Sequence, residues 1–227
     1  AEPILKIENL SSADETVKDA AFELYQGEVL GFYGVQGAGR TELLETIFGL
    51  RKKSSGRIIM ADTVIENTNP SVAIENGFAM VTEDRKRSGL FQNMSILENI
   101  NISNASSVST SSGLIKKNRM KEIAEKYRND IGIKVNDVNQ NVMQLSGGNQ
   151  QKVIIGRWLA SGPKIFLVDE LTRGVDVGAK AEIFNLLKKM RADGLGIVLV
   201  SSEIQEVIAE SDRVLVMRNG RIVKELK

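Results

Sequence analysis

The stretch Gly34-Val35-Gln36-Gly37-Ala38-Gly39-Arg40-Thr41 constrains this chain more than any other. It follows Glu28-Val29-Leu30-Gly31-Phe32-Tyr33, which reads as a buried strand. It precedes Leu43, Leu44, Ile47 and Phe48 at helical spacing, with Gly49 closing the helix. Strand, glycine loop and helix are the setting of the phosphate-binding pattern G-x-x-x-x-G-K-[ST], matched here except that Arg40 stands where the pattern has lysine. Gly34, Gly37 and Gly39 let the backbone curl so that successive N–H groups point at phosphate oxygens, and the helix adds its positive end. The candidate nucleotide cradle therefore comprises Gly34, Gln36, Gly37, Ala38, Gly39, Arg40, Thr41 and Glu42, with the Thr41 hydroxyl available to Mg²⁺. Arg40 keeps the positive charge but replaces a compact ammonium by a longer, planar group. The same residues also make a tight strand-to-helix turn with no ligand, so the rest of the chain must separate the two readings.

With 227 residues the chain can bury a sizeable core. Lys and Arg number 30 against 29 Asp and Glu, so charge gives no sign of a nucleic-acid surface. Cysteine is absent, which excludes disulfides and thiolate-bound metal, and histidine is absent, which removes the commonest general base and metal ligand. Apolar runs such as Ile165–Val168 and Ile197–Val200 fall far short of the roughly 20 residues of a spanning helix.

Strands are expected over 4–10, 21–25, 57–65 and 77–82, a loop over Ser103 to Gly113, and an amphipathic helix from about Lys117 to Ile131. Strand and helix then alternate through 164–170, 178–193, 196–202 and 203–210 before a hairpin turning at Asn219-Gly220. One α/β core with a helical insertion is the expected architecture: core about 1–94 and 162–227, helical subdomain about 95–161, forming a single domain over 1–227. Trp158, at helical spacing with Ile154 and Ile155, is expected in the core.

Two further stretches carry chemistry. In Lys164-Ile165-Phe166-Leu167-Val168-Asp169-Glu170, two carboxylates end a buried strand, where α/β sheets place ligands. Asp169 would hold Mg²⁺ through water and Glu170 would polarise an attacking water; the plainer alternative is a solvated strand end. In Leu145-Ser146-Gly147-Gly148-Asn149-Gln150-Gln151-Lys152, a serine and two glycines open an amphipathic helix and make a second anion-receptive N-terminus, or a simple Ser146 cap.

Together these motifs resemble the ABC transporter ATPase family over essentially the whole chain. "LSGGNQQK" is similar to the family's signature motif, Ile165–Glu170 to its Walker B strand, and Gly174-Val175-Asp176 to its D-loop. "GAGRTEL", "EDRKRSGL", "LSGGNQQK" and "TRGVDVGAK" further resemble the C-terminal ATPase half of bacterial ribose, galactose, xylose and arabinose importers. The resemblance implies a P-loop NTPase fold of the ABC ATPase type, a mixed sheet with an N-terminal antiparallel β region and a helical subdomain. It implies ATP and Mg²⁺ as cofactors, with Thr41, Glu83 and Asp169 toward the metal and Ser146, Gly147, Gly148, Gln150 and Asp176 toward nucleotide. Implied partners are an N-terminal ATPase half of the same polypeptide, membrane permease subunits and, indirectly, a sugar-binding protein. No nucleic acid is implied, and the location is the cytoplasmic face of the cell membrane.

The family pattern is broken at several points. Arg40 replaces the P-loop lysine, Glu83 the glutamine that senses Mg²⁺ and the membrane subunit, and Leu171 the usual proline after the glutamate. Ser202 stands where the switch histidine belongs, and "LSSADETV" lacks the aromatic that stacks on adenine. In the family, two such domains pair head to tail, each ATP lying between one P-loop and the other domain's signature. A weakened P-loop side beside an intact Ser146-Gly147-Gly148 implies an asymmetric machine, monomeric and weakly active when isolated, although Glu170 is retained. Alternatives are a soluble ABC ATPase outside transport, or a structural half that binds no ATP. Phe91, Met94 and Ile96 either form an exposed patch for the membrane subunit or pack inward.

Overall fold

Alternation of apolar side chains starts the first sheet of the computed structural model, which describes residues 2–84, 89–109 and 116–226. Strand β1 (Leu5–Ser12) buries Leu5, Ile7 and Leu10 and pairs antiparallel with β2 (Ala20–Leu24). β3 (Val29–Tyr33) leads into the glycine loop and α1 (Arg40–Phe48). β4 (Lys53–Met60) returns beside β1, and β5 (Thr63–Ile65) folds back on β4. The single strand expected over 57–65 is thus two, broken at Ala61-Asp62, both in the left-handed region with φ of 45° and 61°. The apolar pattern runs through this turn, and neither residue is the glycine or asparagine that normally announces one.

A short helix α2 (Pro70–Glu75), capped by Asn69 with Pro70 at its first position, precedes β6 (Phe78–Val81). Later come α3 (Ile96–Asn101), α4 (Lys117–Ile131), α5 (Gly147–Ala160), β7 (Ile165–Asp169), α6 (Val177–Ala192), β8 (Gly196–Val200), α7 (Ile204–Glu210), β9 (Arg213–Arg218) and β10 (Arg221–Leu226). The loop expected over Ser103 to Gly113 falls partly outside the described residues; Ile102–Val108 forms a 3-10 segment. One sheet is antiparallel, in the order β2-β1-β4-β5; the other runs β10-β9-β3-β8-β7-β6. In the second, β3, β8 and β7 are mutually parallel neighbours, with Phe32 opposite Val200 and Val200 opposite Asp169.

The chain divides into two units, Ala1–Met80 with Pro163–Glu170 and Lys188–Lys227, and Val81–Gly162 with Leu171–Leu187. Both sheets belong essentially to the first. In the second, Ser95 and Glu98 close a reciprocal capping box on α3, which turns Ile96 fully inward. Of the three residues Phe91, Met94 and Ile96, only Phe91 is exposed, at 45%. Trp158 is partly exposed rather than enclosed in the core.

Two cations are buried along α5. Arg157 Nε donates to the Asn99 carbonyl at 2.9 Å and Nη2 to Asn99 Oδ1 at 3.0 Å, and its guanidinium stacks 5.3 Å from the Phe91 ring centroid. Burial pushes its pKa down to about 10, so it stays charged at neutral pH. Lys152 donates to the Gly132 carbonyl and to Glu182 on α6, and Lys134 donates to the other Glu182 oxygen. Hydrogen bonds from Lys152 and Lys134 pull the Glu182 carboxyl down to about 2.

Arg157→Ala removes two buried charge-assisted bonds to Asn99 and the packing of the guanidinium on Phe91. It should lower unfolding stability by about 2–4 kcal/mol, read from the urea midpoint. Glu182 has a folded pKa below its unfolded value near 4.5, so its contribution is present above that pH and fades as pH falls toward 2. Glu182→Gln should accordingly be less stable than the parent at pH 7, with the gap closing in acid melts between pH 4.5 and 2.

Candidate functional site

In the first unit, three adjacent parallel strands end on the same edge. β3 delivers the glycine loop, β7 delivers Asp169 and then Glu170, and β8 delivers Ser201 and Ser202. Because β7 and β8 are buried along their whole length, polar groups appear only where the strands stop.

The loop meets α1 at Gly39, which caps the helix in the left-handed region and makes no side-chain hydrogen bond to it. The first-turn amides of α1, Arg40 to Glu42 among them, have no intrahelical acceptors and carry the positive end of the helix dipole. Gly37 (φ 77°) faces open space: a Cβ there would have no atom within 4 Å. Gln36 is likewise exposed, while Gly34 and Ala38 are buried beneath the loop. A Cβ at Gly39 would lie 2.8 Å from the Thr16 carbonyl and 3.0 Å from Gly220 Cα, so only glycine fits. Gly220 also donates its N–H to the Ala38 carbonyl at 2.9 Å, and accepts from Lys18 N at 2.8 Å. Thr16 and Gly220 therefore brace the loop from behind; Asn219-Gly220 reads as a hairpin turn, but nothing in the sequence ties it or Thr16 to the glycine loop.

Asp169 is 1% exposed, and neither carboxylate oxygen makes a regular hydrogen bond. Burial pushes its pKa up to about 6, and the adjacent Glu170 charge adds to this, while the Thr41 hydroxyl and Arg40 pull it back. Such an orphaned carboxylate beside a helix-start threonine and an open glycine loop fits a bound cation that carries phosphate oxygens of its own. Among the described residues no group of three or more Asp or Glu could hold a metal by itself. That suits Mg²⁺, which commonly takes one or two protein ligands plus substrate phosphates.

Glu170 occupies the left-handed region (φ 51°) and accepts from Ser202 Oγ at 3.1 Å. Burial raises its pKa, and the Ser202 hydroxyl and Arg40 oppose the rise. Arg40 does not lie loose over the loop: its Nη1 donates to the Ser201 carbonyl at 2.8 Å. Where the adenine-stacking aromatic is missing, Asp14 accepts from Ser12 Oγ, Thr16 Oγ1 and Thr16 N, and also pairs with Arg51. The Ser12 and Thr16 hydroxyls hold the Asp14 carboxyl well below the usual carboxylate range. This turn is built on hydroxyls and charge.

The second unit holds the other group of candidates. Ser146 is exposed and caps α5, accepting from Asn149 N and Asn149 Nδ2. Asn149 in turn receives Lys134 N at 2.9 Å, which fixes the loop before the helix. Gly147 starts α5; Gly148 is buried, with space so tight that an added Cβ would lie 2.5 Å from Ala179 Cβ. Gln150 turns its amide back toward the carbonyls of Leu145 and Val142 and is 5% exposed. Asp176 is exposed and accepts from Ala179 N at 2.9 Å at the start of α6. Glu83 is exposed and forms an ion pair with Arg173. The following "RKRS" of "EDRKRSGL" lies outside the described residues.

Comparison with known proteins agrees with this arrangement. The ABC transporter family matches over residues 17–173. A galactose/methyl galactoside import ATP-binding protein of Clostridium perfringens is 45% identical over 221 residues, covering 97% of this chain and 43% of that protein. A ribose import ATP-binding protein of Clostridium tetani is 44% identical over 223 residues, covering 98% and 44%. The chain thus spans less than half the length of these relatives. An ATP-binding cassette of an ABC transporter superposes with a TM-score of 0.85 at 25% identity, covering 99% of this chain and 91% of that one. A second cassette, seen as a dimer with ADP and phosphate, shares the fold with a TM-score of 0.81 at 22% identity, covering 98% of each chain. The chain belongs to the ABC transporter family, and its fold is that of the family's ATP-binding cassettes.

Proposed function

We propose that this chain is the ATP-binding, energy-coupling cassette of a bacterial sugar importer, and that its own P-loop site holds nucleotide better than it splits it. The observation that carries nucleotide binding is the buried Asp169 carboxylate, unpartnered beside Thr41 under an open glycine loop. The sugar-import assignment rests on the import functions named for relatives at 44–45% identity. Gly34, Gln36, Gly37, Ala38, Gly39 and the first turn of α1 with Glu42 cradle the phosphates. Thr41 and Asp169 would hold the Mg²⁺, and Glu83 is carried as a metal-side candidate by the family resemblance alone. Bound Mg²⁺ would supply charge neutralisation at the phosphates. Glu170 would accept a proton from the attacking water at its carboxylate, and Ser202, whose hydroxyl donates to Glu170 at 3.1 Å, brings no positive charge to the terminal phosphate.

Ser146, Gly147, Gly148, Gln150 and Asp176 complete the better site, whose P-loop is carried by an N-terminal ATPase half of the same polypeptide. Permease subunits, a sugar-binding protein upstream of them, and a position on the cytoplasmic face of the membrane follow from the same assignment. The whole chain acts as one ATP-binding domain, with residues of about 95–161 as its helical subdomain. No helix among the described residues is long and apolar enough to cross a membrane.

Calorimetric titration with Mg-ATP tests this reading. Binding with slow turnover is expected, and Asp169→Asn should weaken Mg²⁺-dependent affinity about ten- to a hundredfold while leaving binding in EDTA nearly unchanged. No binding at millimolar ATP would make the chain a structural half. Rapid hydrolysis by the unassembled chain would remove the asymmetry, and copurification with non-membrane partners alone would favour a role outside transport.

A further inference from the structure

Two departures from the family pattern, Arg40 and Ser202, meet at one short loop. β8 ends at Val200, and Ser201 to Glu203 connect it to α7. From one side Arg40 Nη1 donates to the Ser201 carbonyl at 2.8 Å. On the other side Ser202 Oγ donates to Glu170 Oε2 at 3.1 Å, while Glu170 N donates to the Val200 carbonyl at 3.0 Å. The loop is also knitted to α7: Ser201 Oγ donates to Glu206 at 2.9 Å and accepts from Glu203 N at 3.1 Å. Ser201 is 2% exposed, so its carbonyl has little access to water and depends on a protein donor.

We propose that Arg40 is a positioning residue that clamps the Ser201 carbonyl and so holds the 201–203 loop where Ser202 engages Glu170. The clamp rests on the reading of this site as a nucleotide site that holds rather than splits, and explains it. A guanidinium carries five donors in a rigid planar fork, so Nη1 can keep the carbonyl while Nε and Nη2 face a second acceptor. A lysine has one nitrogen on a shorter stem and loses the carbonyl once it turns to phosphate. With the loop fixed, one oxygen of the Glu170 carboxylate is already occupied by the Ser202 hydroxyl. Arginine at 40 and serine at 202 thus form one device, although they stand far apart in the sequence.

Amide hydrogen exchange on the full chain without nucleotide reads the clamp directly. In Arg40→Lys, exchange at Glu203, Glu206 and Val207 should accelerate about tenfold or more, while Leu43 to Phe48 of α1 keep their protection. Ser202→Ala should also speed these amides, and Arg40→Lys/Ser202→Ala should add little to Arg40→Lys, because the clamp acts through Ser202. Unchanged exchange in Arg40→Lys overturns the proposal, as does full additivity of the two changes. Should Arg40→Lys fail to fold, unchanged exchange in Ser202→Ala overturns it instead. If the parent chain binds no Mg-ATP, the nucleotide reading falls while the exchange result still decides the clamp.

Discussion

Burial of the parallel strands β3, β8 and β7 on both faces is the constraint from which the rest of the structure follows. Phe32, Phe166 and Leu30 are fully enclosed, as is almost every residue of β7 and β8. A strand sealed on both faces can carry polar chemistry only beyond its end. Three such strands side by side bring their endings together, so a glycine loop, a pair of adjacent acids and a hydroxyl become neighbours although the three strands lie far apart in sequence. Asp169 is the residue that pays most for this position, buried while still a carboxylate, and its raised pKa records that burial.

Much of this was legible because the signals are local. A continuous apolar run ending in two acids, or a glycine loop between strand and helix, is written within ten residues. Other features depend on groups with no sequence signature. The acceptor for Arg40 is a backbone carbonyl, which every residue possesses, so nothing in the text of the chain marks Ser201. Thr16 and Gly220 reach the glycine loop only through the fold. Ile96 does have a local signal, the Ser95/Glu98 capping box, whereas the Ala61-Asp62 turn has neither glycine nor asparagine to declare it. Trp158 shows the reverse error: helical spacing places a side chain on a face, but not at full depth along it.

The second unit manages charge differently from the first. α5 begins with an exposed Ser146 and then buries Lys152 and Arg157 along its length. Arg157 is answered by the carbonyl and side-chain oxygen of Asn99, and Lys152 by the Gly132 carbonyl and Glu182. Directional bonds of this kind specify helix rotation and register more narrowly than apolar packing, because each donor is satisfied in a single setting. Gly148 adds a steric counterpart, since its contact with Ala179 leaves no room for any side chain. The helix that starts with the serine-glycine motif is therefore fixed against both its neighbours.

The brace of Gly220 on Ala38 and Gly39 has a consequence for the order in which the protein matures. The glycine loop lies early in the given sequence and its support lies far downstream, so this contact has high sequence separation and carries a large loop-closure entropy. On a ribosome, β3 and α1 emerge long before residue 220, and until then the loop lacks the backing that gives it its shape. The shape of the glycine loop is thus completed only when the turn at residue 220 is in place.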